Sequence, residues 1–428
     1  MNIFDTKLKK ISGPINVIRM EGMAHGIKKV IYLFMDYHED VAMQTECINV
    51  FSKDLNKYLA ENFYNLNNSP ITYDFFMEVR PSDILLPPNM GTEYLIYKKQ
   101  YISQVIKFFA SVFKYDPDKD IVRISDIFKN VRLHYLDIRD YLKYHVIDFL
   151  GEAGHLCHEF MCNQDIPLSH LSQVINILKT AKLNLDNTVK IFKSGTKPVD
   201  KPVDKKVDKP VDKKVDKKVP VIKYYKGFEQ ETVERLVFKI KQSYKHTDVK
   251  NILVPMLEKS ITDLEQLSNN IDTTIQSLTE HGNFINDNFA KLIKEPSDVD
   301  YHYGINSHNM RKIIFDIINS VSNLYQLCVK IFARITDIYM LRRFLDKDYI
   351  TNAIVYSGAA HSEMYVKTLI AYFGFKITHV SFSSIENLDT LNKEIKSKAQ
   401  NNINITEMIN PPLLYQCADV TNFPDKFL

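Results

Sequence analysis

Lys29-Val-Ile-Tyr-Leu-Phe-Met35, followed at once by Asp36-Tyr-His38-Glu-Asp40, is the stretch on which the fold turns. A short, continuous apolar run that stops in acids and an imidazole reads as a strand buried on both faces, not as the alternating strand of a half-solvated sheet. Two further runs share this character. Ile71-Thr-Tyr-Asp-Phe-Phe-Met-Glu-Val79 follows Asn-Asn-Ser-Pro turn chemistry, and Val131-Arg-Leu-His-Tyr-Leu136 runs into Asp137. Between the first two, residues 40–63 have helical periodicity at Val41, Cys47, Ile48, Phe51, Leu55 and Leu59. Buried runs spaced by helix-length segments predict crossover units and a largely parallel sheet.

Further along the chain the pattern turns helical, from about 140 to 193 and again from 228 to about 344. Leu236, Ile240, Ile252, Leu257, Ile261, Leu264 and Leu267 form stripes on long helices, with Pro255 marking a kink and Pro296 a boundary. These helical stretches are separated by KPVD KPVD KKVD KPVD KKVD KKV, residues 197–219. A four-residue period suits neither a helix face nor a strand, and one valine among charges cannot offset the entropy of ordering. The prolines favour extended segments and stop helices, so the repeat reads as a solvated spacer. Strand character returns in Asn352-Ala-Ile-Val-Tyr-Ser357. Gly358-Ala-Ala-His361 follows, then a helix from about 362 to 373 ended by Gly374, then a strand over 375–381.

The expected architecture is therefore α/β. A mostly parallel sheet is assembled from 1–145 and 346–428, with a large helical insertion in two parts at 146–196 and 221–345. A disordered repeat linker spans 197–220. Two independent domains in series would leave the C-terminal strands as a sheet too small to be stable.

The bulk numbers bound the function. With 428 residues, 45% of them hydrophobic, the chain can bury a sizeable core. A formal charge of +3, from 55 basic and 52 acidic side chains, argues against a dedicated nucleic-acid binder. The five cysteines (Cys47, Cys157, Cys162, Cys328 and Cys417) are odd in number and mostly far apart, which argues against a disulfide framework and for a reducing compartment. The opening MNIFDTKLKKISGPINVIRMEG has no apolar core of a signal peptide. No apolar run reaches the roughly 18 residues that cross a bilayer; the longest candidate, 313–341, is broken by Asp316, Asn319, Lys330, Arg334 and Asp337. The expectation is an intracellular, cytoplasmic protein. Abundant Lys, Ile, Asn and Tyr with no Trp is the usage of AT-rich genomes, including those of large DNA viruses; host cytoplasm or virion is the expected location in that case.

Ligands of an open parallel sheet bind beyond the carboxyl ends of its strands, so the polar residues there are the candidate site. Asp36 and His38 can face one cation or share a proton-transfer task. Equally, Asp36 can be a helix N-cap with Glu39 in a capping-box arrangement. His361 lands at a helix start behind a tight turn at Gly358, where it is either functional or simply packed. Glu78, inside an aromatic run, is costly to bury unpaired and needs Arg139, Arg80, a metal or a substrate. Asp137 and Arg139 carry the same ambiguity. His155, His158, Glu159 and Cys162 share one helix face; a zinc site is one reading and a packed Cys and Met face the blander one. There is no phosphate loop, Rossmann glycine fingerprint or nucleophile elbow.

Taken in order, VIYLFMDYHED, YDFFMEV, HYLDIRD and YSGAAHS resemble the landmarks of the Tiki/TraB/EreA–ChaN superfamily. In that group strand one leads into a Gly-Glu-x-His element, a second strand carries a Glu, an Arg element follows, and a Gly-x-x-His element comes near the end. The resemblance implies Asp36 and His38, Glu78, Arg139 and His361 as the corresponding residues, with Met35 where Gly is expected and Asp36 where Glu is expected. It implies hydrolysis of a peptide or ester substrate by a metal-bound or His-activated water. Asp36-x-His38-x-Asp40 is also similar to elements of the arginase group and of calcineurin-like phosphoesterases. In arginases, however, the Gly-rich His element comes first, and the Gly-Asp and Gly-Asn-His elements of the phosphoesterases are absent here.

The mechanistic expectation follows from these readings. His38 and His361, with Asp36 or Glu78, converge and activate water, and Arg139 steadies an oxyanion. Asp36, His38 and His361 are the expected ligands of a divalent metal ion, which would lower the pKa of bound water toward neutrality. The competing expectation is a catalytically inactive structural or interaction protein that kept the fold, docking a protein partner through its helical insertion.

Overall fold

A computed structural model describes residues 7–38, 47–78, 101–113, 115–116, 121–122, 125–138, 145–163, 166–195, 232–294, 308–413, 415–425 and 427. The repeat spacer, Glu39, Asp40, Arg80, Arg139 and Pro296 lie outside the described residues.

The apolar run at 29–35 becomes β3 (Ile27–Asp36), buried continuously from Lys29 onward. It forms a hairpin with β2 (Asn16–Ala24) across His25 and Gly26, whose φ values of 55° and 75° are what a two-residue type I′ turn requires. β2 escaped the sequence reading because Arg19, Glu21 and Gly22 interrupt its apolar pattern. β5 (Tyr73–Met77) and β8 (Val131–Tyr135) are the other two early runs, with a short antiparallel pair, β6 (Tyr115–Asp116) and β7 (Ile121–Val122), between them, while β9 (Asn352–Gly358) and β10 (Lys376–Val380) come from the C-terminal segment. The six strands lie in the order β10-β2-β3-β9-β5-β8. β9 is thus inserted between β3 and β5 and runs parallel to both. Early and late segments build one sheet.

That sheet is mixed. The β3-β9-β5-β8 portion is parallel, as expected, and the β10-β2-β3 portion is antiparallel. The outer edge of β10 is covered by Asn392 of α9 (Leu388–Gln400), which exchanges hydrogen bonds of 2.8 and 3.0 Å with the Ile377 backbone. Satisfying an edge in this way removes a template for stray strand pairing.

On one face, α1 (Leu55–Asn65) and α2 (Tyr101–Val112) bury Leu55, Leu59, Phe63, Val105 and Phe109 against Tyr73, Phe75 and Tyr356. Of the helix expected over 40–63, residues 40–46 lie outside the described residues and 47–54 are not helical; α1 starts at Leu55, where the Asp54 side chain accepts from Asn56 N (2.8 Å) and caps it. Cys47, Ile48 and Phe51 precede it in turns.

The other face carries α8 (Ala359–Phe373) and a layer of long helices: α3 (His145–Asn163), α4 (Leu168–Ser194), α5 (Thr232–Lys241), α6 (Thr247–Lys294) and α7 (His308–Asp346). Val174, Leu178, Ala181 and Leu185 of α4 meet Leu257, Leu264 and Leu267 of α6 in a core continuous with the sheet residues Ile31, Leu33 and Val355. Pro255 sits inside α6, which continues through it. On α3, His155, His158, Glu159 and Cys162 are exposed and Cys157 is buried, so the packed-face reading holds for Cys157. No helix among the described residues is long and apolar enough to cross a membrane.

Lys29 fastens the helical layer to the sheet. Its buried ammonium donates to the carbonyls of Phe344 (3.0 Å), Lys347 (2.9 Å) and Ile350 (2.5 Å), capping the C-terminal end of α7. Burial pulls this amine down to about 8, against the pull of Asp348, Asp74 and Asp346. Lys29→Met fills similar space but leaves those carbonyls without their donor. The expected loss is about 1–3 kcal/mol of unfolding free energy, read from urea denaturation at pH 7.

A small second sheet, β11 (Cys417–Asp419), β1 (Lys10–Ser12) and β4 (Lys53–Asp54), stands near the end of β3, because Ile15 N donates to Met35 O at 2.8 Å. Here the cysteine expectation is corrected. Cys47 and Cys417 form a disulfide with Cα atoms 5.0 Å apart, across a sequence separation of 370. Ser12 brings them together: it pairs with Cys417 in the β1–β11 register, and its hydroxyl accepts from Cys47 N at 3.3 Å. The bond removes the cysteine argument for a reducing compartment.

Candidate functional site

β3, β9 and β5 end side by side. Asp36 pairs with Gly358 across the β3–β9 register, and Glu78 N donates to Tyr356 O at 3.0 Å.

Asp36 is fully buried. Its Oδ1 accepts from the backbone N of His38 at 2.6 Å, and its Oδ2 accepts from the Tyr356 hydroxyl. The first bond closes an Asx-type turn in which His38 takes a left-handed backbone, φ 60°. The turn brings the ring back to within 3.4 Å of Asp36 Oδ1 through Nδ1. The N-cap alternative for Asp36 is replaced by this role.

Glu78 occupies the centre. Its Oε2 accepts from Gly358 N at 2.7 Å and lies 3.4 Å from His38 Nε2, while its Oε1 lies 3.3 Å from His361 Nε2. Gly358 has an ordinary φ of −53°, so glycine is required there for space. A Cβ at 358 would sit 2.8 Å from His38 Nε2 and 3.4 Å from Glu78 Oε2. The other nitrogen of His361, Nδ1, is 2.6 Å from Oδ1 of Asp337, a buried residue of α7.

The result is an unbroken line: Asp337, His361, Glu78, His38, Asp36, Tyr356. Its members come from α7, α8, the ends of β5 and β3, and β9. Of the two imidazoles, His361 is 13% exposed and His38 is 35% exposed, so His38 is the solvent end.

Charge follows from the partners. Ionised carboxylates only accept hydrogen bonds, so a ring facing a carboxylate through each nitrogen carries two N–H groups and is an imidazolium. For His38, burial alone would lower the pKa, but the hydrogen bonds and charges of Asp36 and Glu78 outweigh it and raise the ring to about 10. Burial likewise opposes charge on His361, and Asp337 and Glu78 overcome it, holding the ring well above its ordinary value. Burial pushes the Glu78 carboxyl up, yet the two imidazoliums bring it well below the usual carboxylate range.

The expected metal ligands, Asp36, His38 and His361, do not meet at one point. Asp36 reaches only the Nδ1 side of His38, and both nitrogens of His361 are engaged by Glu78 and Asp337. Glu78 stands between the two Nε2 atoms and offers each a different oxygen. Among the described residues, no group of three His, Cys, Asp or Glu side chains could hold a metal ion. The donor set does not fit one.

His38, Glu78 and His361, picked out in sequence, are therefore brought together. Arg139 and Arg80, considered there as partners of Glu78, lie outside the described residues, and the partners seen are imidazoles. Asp137 is buried beyond β8. Sequence reasoning missed Asp337 and Tyr356. The signal for Asp337 was present, as an acid within the apolar run of a long helix, but it was counted only against a membrane span.

The model of a family described as "Family of unknown function (DUF5847)" matches residues 9–428. Similar full-length relatives are uncharacterised proteins of Acanthamoeba polyphaga mimivirus. R706 is 40% identical over 428 residues, covering 99% of this chain and 98% of its own. R161 is 34% identical over 450 residues, covering 100% of each chain, and R160 is 33% identical over 433 residues, covering 99% and 98%. Their viral source agrees with the amino-acid usage. The Tiki/TraB/EreA–ChaN resemblance finds no support in these matches. No solved structure matches.

Proposed function

Because the chain belongs to that family, whose function is unknown, we propose its activity from the site itself: the carboxyl edge of the sheet is a hydrolytic acid–base centre acting on an ester or peptide bond. The observation that carries this reading is the bridging position of Glu78, a carboxylate only 10% exposed that touches two imidazoles, one of them reaching solvent. Burying so many ionisable groups together is expensive, and such clusters concentrate where proton transfer is the task.

In this scheme His38 is the acid and Glu78 the base. Glu78 takes a proton from water as the water oxygen attacks the carbonyl carbon. The acyl–oxygen or acyl–nitrogen bond then breaks, and the leaving group departs with the proton of His38. The proton held by Glu78 returns to His38 across their 3.4 Å contact, which resets the site. That return is downhill, because the environment raises His38 to about 10 and holds the Glu78 carboxyl well below its ordinary value. Asp36 and Tyr356 hold His38 in place.

A second reading is an inactive structural or interaction protein that retains the fold. One observation favours it: both imidazoles of the line are already paired with carboxylates inside the protein. The full chain, incubated with p-nitrophenyl esters of increasing acyl length and with peptide p-nitroanilides, separates the two. Turnover is expected, with a loss of about 100-fold or more in His38→Gln. Equal rates in the two proteins, or no hydrolysis of any substrate, would leave the inactive reading standing.

A further inference from the structure

We propose that Asp337, delivered by the long helix α7, is a positioning residue of the acid–base centre, holding the His361 ring so that Nε2 faces Glu78. This deepens the proposed function and rests on it, although its test does not depend on turnover.

Three observations carry it. The Asp337–His361 contact, at 2.6 Å, is shorter than either imidazole contact of Glu78, at 3.3 and 3.4 Å, so the ring is anchored mainly from the α7 side. Asp337 is buried on a helix whose neighbouring Ile335, Ile338, Met340 and Leu341 are all fully buried. A carboxylate in such a setting is costly unless it binds something, and an apolar residue would pack there at no such penalty. Finally, an imidazole can rotate or flip about its Cβ bond. A carboxylate on Nδ1 fixes both the orientation and the proton of the ring, as in carboxylate–histidine pairs generally.

The groups facing His361 are Asp337 from α7, Glu78 from the end of β5 and, on its own helix, the fully buried Tyr365 beside Asp337. His38 lies beyond Glu78 as the next cation. Burial pushes the Asp337 carboxyl up, only partly countered by the His361 charge in this pair and by the Tyr365 hydroxyl. Through it the helical layer becomes part of the site. The bundle and the catalytic edge cannot shift relative to one another without releasing the ring.

The experiment is nitrogen-detected histidine NMR on the full ¹⁵N-histidine-labelled chain, with the His361 signals identified by their loss in His361→Gln. In the wild-type protein both ring nitrogens are expected to remain protonated at pH 8. In Asp337→Asn, with folding checked by circular dichroism, the ring is expected to lose proton affinity by about tenfold or more. Asp337→Glu should restore part of it. A wild-type ring that is neutral at pH 7 overturns the proposal, even if the Asn variant fails to fold. So does a folded Asn variant whose ring titrates as in the wild type. Absence of ester or peptide hydrolysis would sink the proposed function yet leave these spectra, and the anchoring of His361, intact.

Discussion

Glu78→Gln is expected to lower the unfolding free energy by about 3–5 kcal/mol at pH 6, the range typical of breaking a buried ion pair by removing one partner. The amide keeps the shape and can still accept from Gly358 N, so packing is preserved. What is lost is the charge between two imidazoliums. They are then left facing each other with only Asp36 and Asp337 behind them. Urea denaturation of both proteins measures the difference.

Its pH dependence has a definite sign. The Glu78 carboxyl is depressed when folded, so its contribution is present above its ordinary value of 4.5 and lost as pH falls through the folded one. His361 and His38 are raised when folded. Their contributions are full below the ordinary 6.5 and lost as pH rises through the folded values, about 10 for His38. The network is therefore strongest between 4.5 and 6.5 and weakens from 6.5 toward 10. His38 is 35% exposed, so water screens its share and most of the effect belongs to His361 and Glu78. Lys29 acts in the opposite sense, because the unfolded chain binds more protons than the folded one between about 8 and 10.5. The quantity to follow is thus wild type minus variant, in which Lys29 cancels. A difference that stays the same from pH 6 to pH 10 would show that the imidazoles are not charged partners of Glu78.

The second large effect belongs to the disulfide. Breaking Cys47–Cys417, by reductant or as Cys417→Ser, is expected to cost about 2–4 kcal/mol, the usual contribution of a native cross-link that restricts the unfolded chain. The bond closes a loop of 370 residues, which places it toward the upper part of that range in the chain-entropy view. Thermal melts with and without reductant test this. The wild-type midpoint should fall on reduction and the Cys417→Ser midpoint should not move. Insensitivity of the wild type to reductant would mean that the bond does not form. Because the small sheet carrying Cys417 stands near the end of β3, reduction should loosen the edge that bears the site as well as the molecule as a whole.

Much of the element inventory was readable along the chain. The runs ending in Asp36, Glu78 and Asp137, and the run leading to Gly358, announced β3, β5, β8 and β9, because a strand buried on both faces must be apolar at consecutive positions. The same logic hid β2, whose Arg19 and Glu21 break the run. It also carried α1 back past Leu55 through 47–54, because periodicity alone cannot see a cap at Asp54. His38 and His361 were nameable since each follows an apolar run at a strand end, and Glu78 because a carboxylate inside such a run needs a partner.

Local pattern thus determined the strands that are apolar at consecutive positions, the long amphipathic helices, and several of the polar residues that end them. Tertiary structure alone decided that β9 enters between β3 and β5, that Glu78 bridges two imidazoles, that Asp337 crosses from the helical layer to His361, and that Cys47 meets Cys417. The reason is one of range. Backbone preference and side-chain periodicity act over a few residues and are written in sequence order. Strand pairing, burial of charge and cross-linking depend on which distant surfaces exclude water together, and spacing along the chain carries no measure of that.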